Sequence, residues 1–188
     1  MKNRAFLILS ILLLCSGITV AQGFKPPEPG KAVVYFVRVS NYGYAVSFEF
    51  FHQDKYIGAF KGMNYMRYEC DPGEQLFWAS SENKEFLTSE LKPDGTYIVV
   101  VDVVMGFWKA HVGMTPLDVS NDEVFQRARN LINSKPPVEI SQEQIDKMNK
   151  KLADFIPENL KKYEEESKYE HNFRHISPDM AIPEGAMK

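Results

Sequence analysis

Between about 32 and 116 apolar residues fall in short strand-length runs, several of them alternating with a period of two, and beyond that they recur with a helical period. Tyr44, Val46, Phe48 and Phe50 fall on one side of a predicted strand over 44–51, with Ala45, Ser47, Glu49 and Phe51 opposite. After a Gln53-Asp54 turn, 55–60 returns as its hairpin partner, and Gly58 within it marks a bulge or a close backbone approach. Residues 32–39 (AVVYFVRV) are apolar almost without a break, so both faces of that strand are expected to be covered. The segment 63–70 alternates again and puts Met66, Tyr68 and Cys70 on one face. Asp71-Pro72-Gly73 is a turn, since Pro fixes φ and Gly accepts φ > 0. Further strands are predicted at 75–79 and 86–91. The strongest strand chemistry lies in 95–114 (GTYIVVVDVVMGFWKAHVGM), where Gly106 breaks the run so that 107–112 returns beside 95–104.

The period changes after Pro116. Ser120 and Glu123 form a capping-box pattern ahead of Val124, Ala128, Leu131 and Ile132 at helical spacing, and Pro136-Pro137 ends it. Ser141 and Gln144 form a second box before Ile145, Met148, Leu152 and Phe155, a stripe that is expected to stop near Pro157. A more charged third helix is predicted over 158–169. The pattern thus predicts a mainly β fold: a small antiparallel β-sandwich of about 7–8 strands followed by a C-terminal helical extension. In order, the expected segments are a signal peptide at 1–21, a flexible Pro/Gly-rich leader at 22–31, the sandwich at 32–119, the helices at 120–175 and a loose tail at 176–188. The helical stripes carry too little apolar surface for a core of their own, so they are expected to cover the sheet or to dock on another chain.

Composition changes this picture at the N-terminus. Lys2 and Arg4 precede an apolar run, 5–14, and Thr19-Val20-Ala21 provides a small-x-small site for cleavage before Gln22. That run is shorter than the ~20 residues a spanning helix needs, so an exported chain without a transmembrane span is expected, periplasmic or extracellular. Loss of Lys2 and Arg4 would make the formal charge of −3 more negative by two, which gives no electrostatic case for nucleic acid. Leu13 and Leu14 precede Cys15 where a lipoprotein signal has small residues, so a lipid anchor or peripheral membrane association is the lesser expectation. Without Cys15, Cys70 is the remaining thiol and is expected to be a buried apolar group.

The segments 31–40 (KAVVYFVRVS), 48–60 (FEFFHQDKYIGAF), 68–82 (YECDPGEQLFWASSE) and above all 95–112 (GTYIVVVDVVMGFWKAHV) resemble the DUF2846 family of bacterial exported domains of unknown function. The hairpin–turn pattern is also similar to PEGA-type and transthyretin-like sandwich modules. The resemblance implies an envelope-associated sandwich and brings no catalytic residues with it. Residues 120–188 lie outside it.

Candidate chemistry is sparse. Aromatic side chains anchor interfaces, so Trp108, Phe107 and Trp78 are candidate contacts for a ligand or a protein partner. Asp102, alone in a valine run, is a candidate perturbed carboxylate, with Lys109 or Arg67 as its expected ion-pair partner. His171 and His175, four apart, are weak metal candidates on one helix face and lack the glutamate of an H-E-x-x-H motif. No cofactor fingerprint is present, and no nucleophile motif accompanies His52 or His111. The resulting expectation is an exported, non-catalytic binding or structural module of the cell envelope, with another envelope protein or a surface ligand as its partner. The alternatives are a small hydrolase using a His/Asp site, which requires His52, His111 or Asp102 to meet in a polar pocket, or a carrier of an apolar ligand beside Trp78 or Trp108.

Overall fold

The computed structural model describes residues 23–105, 110–170 and 172–188; the expected signal peptide and Cys15 lie outside them. The strands are β1 (Ala32–Val37), β2 (Ser47–His52), β3 (Lys55–Lys61), β4 (Tyr65–Cys70), β5 (Gly73–Ser80), β6 (Lys84–Leu91), β7 (Thr96–Met105), β8 (Ala110–Leu117) and β9 (Arg174–Ile176). Three helices, α1 (Asp122–Ser134), α2 (Gln142–Lys151) and α3 (Phe155–Lys162), lie between β8 and β9. One sheet runs β4-β1-β7-β8 and the other β3-β2-β5-β6-β9.

The fold is sandwich-like, but the sheets are mixed rather than antiparallel. β1 pairs antiparallel with β4 and parallel with β7, and β9 adds parallel to β6. The antiparallel expectation came from local hairpins, and those are present as β2–β3, β5–β6 and β7–β8. Both parallel pairings join strands far apart in sequence, where no turn signal marks the direction.

β1 is buried along its whole length because it is central in its sheet and covered on both faces. Ala32, Val34 and Phe36 enter the core between the sheets with Phe48, Phe50, Phe77 and Val99. Val33, Tyr35 and Val37 face the other way, against Phe125, Ala128 and Ile132 of α1. On the outer face of the five-stranded sheet, Phe51, Trp78 and Phe86 pack against Ile156 and Tyr163. The helices therefore flank the sheets on both sides, giving an α/β/β/α layering. The β2–β3 hairpin carries the expected irregularity: its register shifts at Phe50/Phe51, and a Cβ on Gly58 would stand 2.5 Å from the Met66 sulfur.

Several expected boundaries change. α1 is capped at Asn121 without a side-chain bond, because the Ser120 hydroxyl turns back to Asp118. The Ser141 cap forms as expected, accepting from Gln144 N at 3.3 Å. Pro157 lies in the first turn of α3 instead of ending its predecessor, a position where its missing N–H costs nothing. α3 runs on through a π-helical turn, Tyr163–Ser167.

The expected leader and tail are both packed. Phe24 packs against Tyr35, ring centroids 5.0 Å apart and tilted by 57°, and Lys25 N donates to the Tyr35 hydroxyl at 2.8 Å. In the tail, Ile176 and Ile182 are buried, and Ile182 N donates to Thr96 O at 2.8 Å. Burying each such side chain contributes roughly 1.5–3 kcal/mol, enough to hold a short segment that looks polar in sequence.

Candidate functional site

Arg38 leaves the end of β1 and is fully buried. Its guanidinium donates to Val46 O at 2.8 Å, Tyr42 O at 2.7 Å and Gly43 O at 2.7 Å. It also lies 4.8 Å over the Phe48 ring. One cation thus gathers the carbonyls of the β1–β2 loop and fixes its backbone. Gly43 makes the closure possible: its φ is 62°, and a Cβ there would come within 2.9 Å of Val103 Cγ2. The loop consequently holds its aromatic side chains outward, with Tyr42 56% and Tyr44 68% exposed. Tyr44 was expected within a strand, on the face shared with Val46, Phe48 and Phe50; β2 starts only at Ser47, which leaves Tyr44 in the loop.

Asp102 belongs to this end. Burial pushes its carboxyl above the ordinary value, with Arg38 and then Arg127 pulling the other way. Burial likewise lowers the Arg38 pKa, against the opposing charge of Asp102. Among the described residues, Asp102 Oδ1 and Arg38 Nε are buried without hydrogen-bond partners. The expected pairing with Arg67 does not occur: Arg67 is on β4 and pairs with Glu69 at 2.7 Å. Lys109, Phe107 and Trp108 lie outside the described residues.

The other end of the sandwich, where β1 begins, holds His52. Its Nδ1 is 3.0 Å from the Tyr68 hydroxyl and its Nε2 is 2.7 Å from Gln75 Oε1. These distances fit a neutral ring that accepts from Tyr68 and donates to Gln75. Burial lowers the His52 pKa, in agreement with a neutral ring, and the Gln75 bond opposes the shift. Nearby, burial raises Tyr68 to about 12, and burial followed by the charges of Asp71 and Glu69 raises the Cys70 thiol to about 12. Cys70 is a buried, protonated thiol with no nucleophilic character at neutral pH.

The residues proposed for a hydrolytic site are therefore not assembled. His52 and Asp102 lie at opposite ends of β1. His111 stands on β8 opposite Val104, two residues along the ladder from Asp102, and among the described residues no hydrogen bond joins the two. His175 is on strand β9 and not on a helix, with Nδ1 2.9 Å from Thr88 Oγ1; His171 lies outside the described residues. Among the described residues, no group of three or more acidic, cysteine or histidine ligands could hold a metal.

Trp78 is fully buried, stacked on Phe51 at 3.7 Å and 9°, and its Nε1 donates to Gln53 O at 2.9 Å. Its ring is a packing element beneath α3, not a surface contact. Arg38 was missed in sequence; an arginine within an apolar strand run is the signal that could have found it. No helix among the described residues is long and apolar enough to cross a membrane. In comparisons with known proteins, no family model, no curated protein and no solved structure matches the chain.

Proposed function

We propose that the chain is an exported, non-catalytic β-sandwich that binds a protein of the cell envelope through the end of the sandwich around Arg38. The observation that carries this reading is the exposure of Tyr42 and Tyr44 on a loop whose backbone is fixed by three hydrogen bonds from Arg38. Aromatic side chains on a rigid support lose little conformational entropy on binding, and such residues dominate interface energetics. The N-terminal pattern supports export, and the separation of His52 from Asp102 favours a binding role over hydrolysis.

The test is photo-crosslinking in the producing cell, with a photoreactive residue at position 44 or, as control, at exposed position 161. A discrete protein adduct from position 44, absent from position 161 and lost with Arg38→Met, is expected. Equal labelling from both positions would remove the reading. Export is checked separately: the mature chain should begin at Gln22 in the envelope fraction, and an intact N-terminus in the cytoplasm would contradict it.

A further inference from the structure

An edge strand presents unpaired N–H and C=O groups to any passing strand, and proteins protect such edges. This chain covers two of its edges with side-chain amides. On β3, Asn149 of α2 accepts from Tyr56 N at 2.8 Å and donates to Tyr56 O at 3.2 Å. On β8, Asn83 accepts from Val112 N at 2.7 Å and donates to Val112 O at 3.0 Å, while Arg174 donates to Met114 O at 3.1 Å. The β9 edge is only 3 residues long.

The β4 edge differs. Arg38 N bonds to Asn64 O, and the register sets Met66 opposite Phe36 and Tyr68 opposite Val34. Even-numbered residues of β4 therefore bond to β1, and odd-numbered ones turn outward. Tyr65 O, the first outward group, accepts from Val138 N of the α1–α2 linker at 2.8 Å. The linker then leaves toward β3, where Ile140 lies over Gly58. Arg67 and Glu69 are the next outward residues, and among the described residues no hydrogen bond reaches their outward backbone groups. They border a cleft in which cavities of about 750, 400 and 390 Å³ all share Tyr68 as a lining residue. Ile57 and Ile145 line the two larger cavities, and Lys25 and Arg67 line the second.

We propose that this cleft is a strand-addition site, in which an extended peptide segment of a partner protein pairs with β4 across Arg67 and Glu69. Val138 already forms the first rung, so the added strand continues a ladder that the chain begins itself. Alternation along the added strand gives its specificity. One set of its side chains meets Tyr68, Ile57 and Ile145 and should be apolar; the other meets Arg67 and Lys25 and should be polar. A second copy of this chain would bring a whole sheet edge against α2 and the linker, whereas a single strand fits between them. The two larger cavities carry Lys25, Lys55 and Arg67 against Asp54, Glu139 and Asp146, so main-chain bonds and apolar contacts set the affinity, and its salt dependence is weak. The site lies on the flank of the sandwich and does not rest on the Tyr42–Tyr44 surface.

The test selects linear peptides from a phage-displayed library on the full chain, then synthesises an enriched peptide. Expected are slowed amide exchange at Arg67 and Glu69 on binding, and loss of binding when alternate peptide nitrogens are methylated but not when the intervening ones are. Because the Glu69 N–H faces outward, Glu69→Pro deletes it without removing a β1–β4 bond and should weaken binding about tenfold. Tyr42→Ser/Tyr44→Ser should bind the peptide as the parent does. If Glu69→Pro does not fold, the methylation series on the unaltered chain decides the matter. The proposal is overturned if no peptide is enriched, if both methylation series bind equally, or if protection of Arg67 and Glu69 arises from self-association alone.

Discussion

At the end of the sandwich where β1 begins, His52 uses both ring nitrogens, one toward Tyr68 and one toward Gln75. At the end where β1 finishes, Arg38 spends its donors on three loop carbonyls, and Asp102 sits close by with a buried oxygen that has no partner among the described residues. The first network is closed and joins side chains of β2 and β5 to one of β4 in the facing sheet. The second uses a buried charge to shape a loop, and aromatic side chains stand exposed on that loop. The difference teaches that polar burial in a small sandwich can serve two ends: satisfying a cross-strand cluster, or holding a surface in place.

The largest expected effect is at the second network. Arg38→Met strips the loop carbonyls of their donor and leaves Asp102 without its main compensating charge, so chemical denaturation should show a loss of about 3–5 kcal/mol. A loss below about 1 kcal/mol would mean that the loop holds itself. His52→Phe leaves the Tyr68 hydroxyl and Gln75 without their partner and should cost about 1–3 kcal/mol.

The two networks should also respond to pH with opposite sign. The folded-state pKa of His52 lies below its ordinary 6.5, so folding favours the neutral ring. That contribution is present above 6.5 and is lost as the pH falls through the folded value; His52→Phe should abolish this acid-side loss. The pKa of Asp102 is raised above its ordinary 3.8, so folding favours the protonated acid. Its contribution is full below 3.8 and disappears as the pH rises through the raised value. Relative to Asp102→Asn, the parent chain should therefore gain stability on acidification, with a difference at neutral pH of about 1 kcal/mol or less. Denaturation of both variants across the acid range checks the two slopes, and slopes of the same sign would sink the contrast. The smallest effect on stability is expected for Tyr42→Ser/Tyr44→Ser, within about 0.5 kcal/mol, because these side chains are exposed.

Much of the sheet was legible because local chemistry decides it. The Gln53-Asp54 turn, the Asp71-Pro72-Gly73 turn and the apolar runs on either side of 106–109 each mark a hairpin or turn within a few residues. The uninterrupted apolar run of β1 correctly announced a strand covered on both faces. The parallel pairings of β1 with β7 and of β6 with β9 were not legible, because partners so far apart leave no local mark. β9 itself is Arg174, His175 and Ile176, and only Ile176 carries a burial signal. The order in 23–31 and 176–188 was hidden for a similar reason: proline and glycine content speaks for irregular backbone, not for whether Phe24 or Ile182 finds a pocket. Of the candidate site, Asp102 was visible as a lone charge among valines. Arg38 was not singled out, since an arginine in a strand is ordinarily read as an outward residue. The burial of Trp78 was not legible, because the pattern cannot tell which sheet face a later helix will cover.

The most direct measurement compares the two ends in one binding experiment. The partner captured through position 44 is tested against Tyr42→Ser/Tyr44→Ser and against Lys31→Ser/Asp71→Ser, a pair that removes the exposed ion pair at the His52 end. The account predicts that the first variant loses the partner while keeping its fold, and that the second binds it unchanged. Retention by the first, or loss by the second, would contradict it.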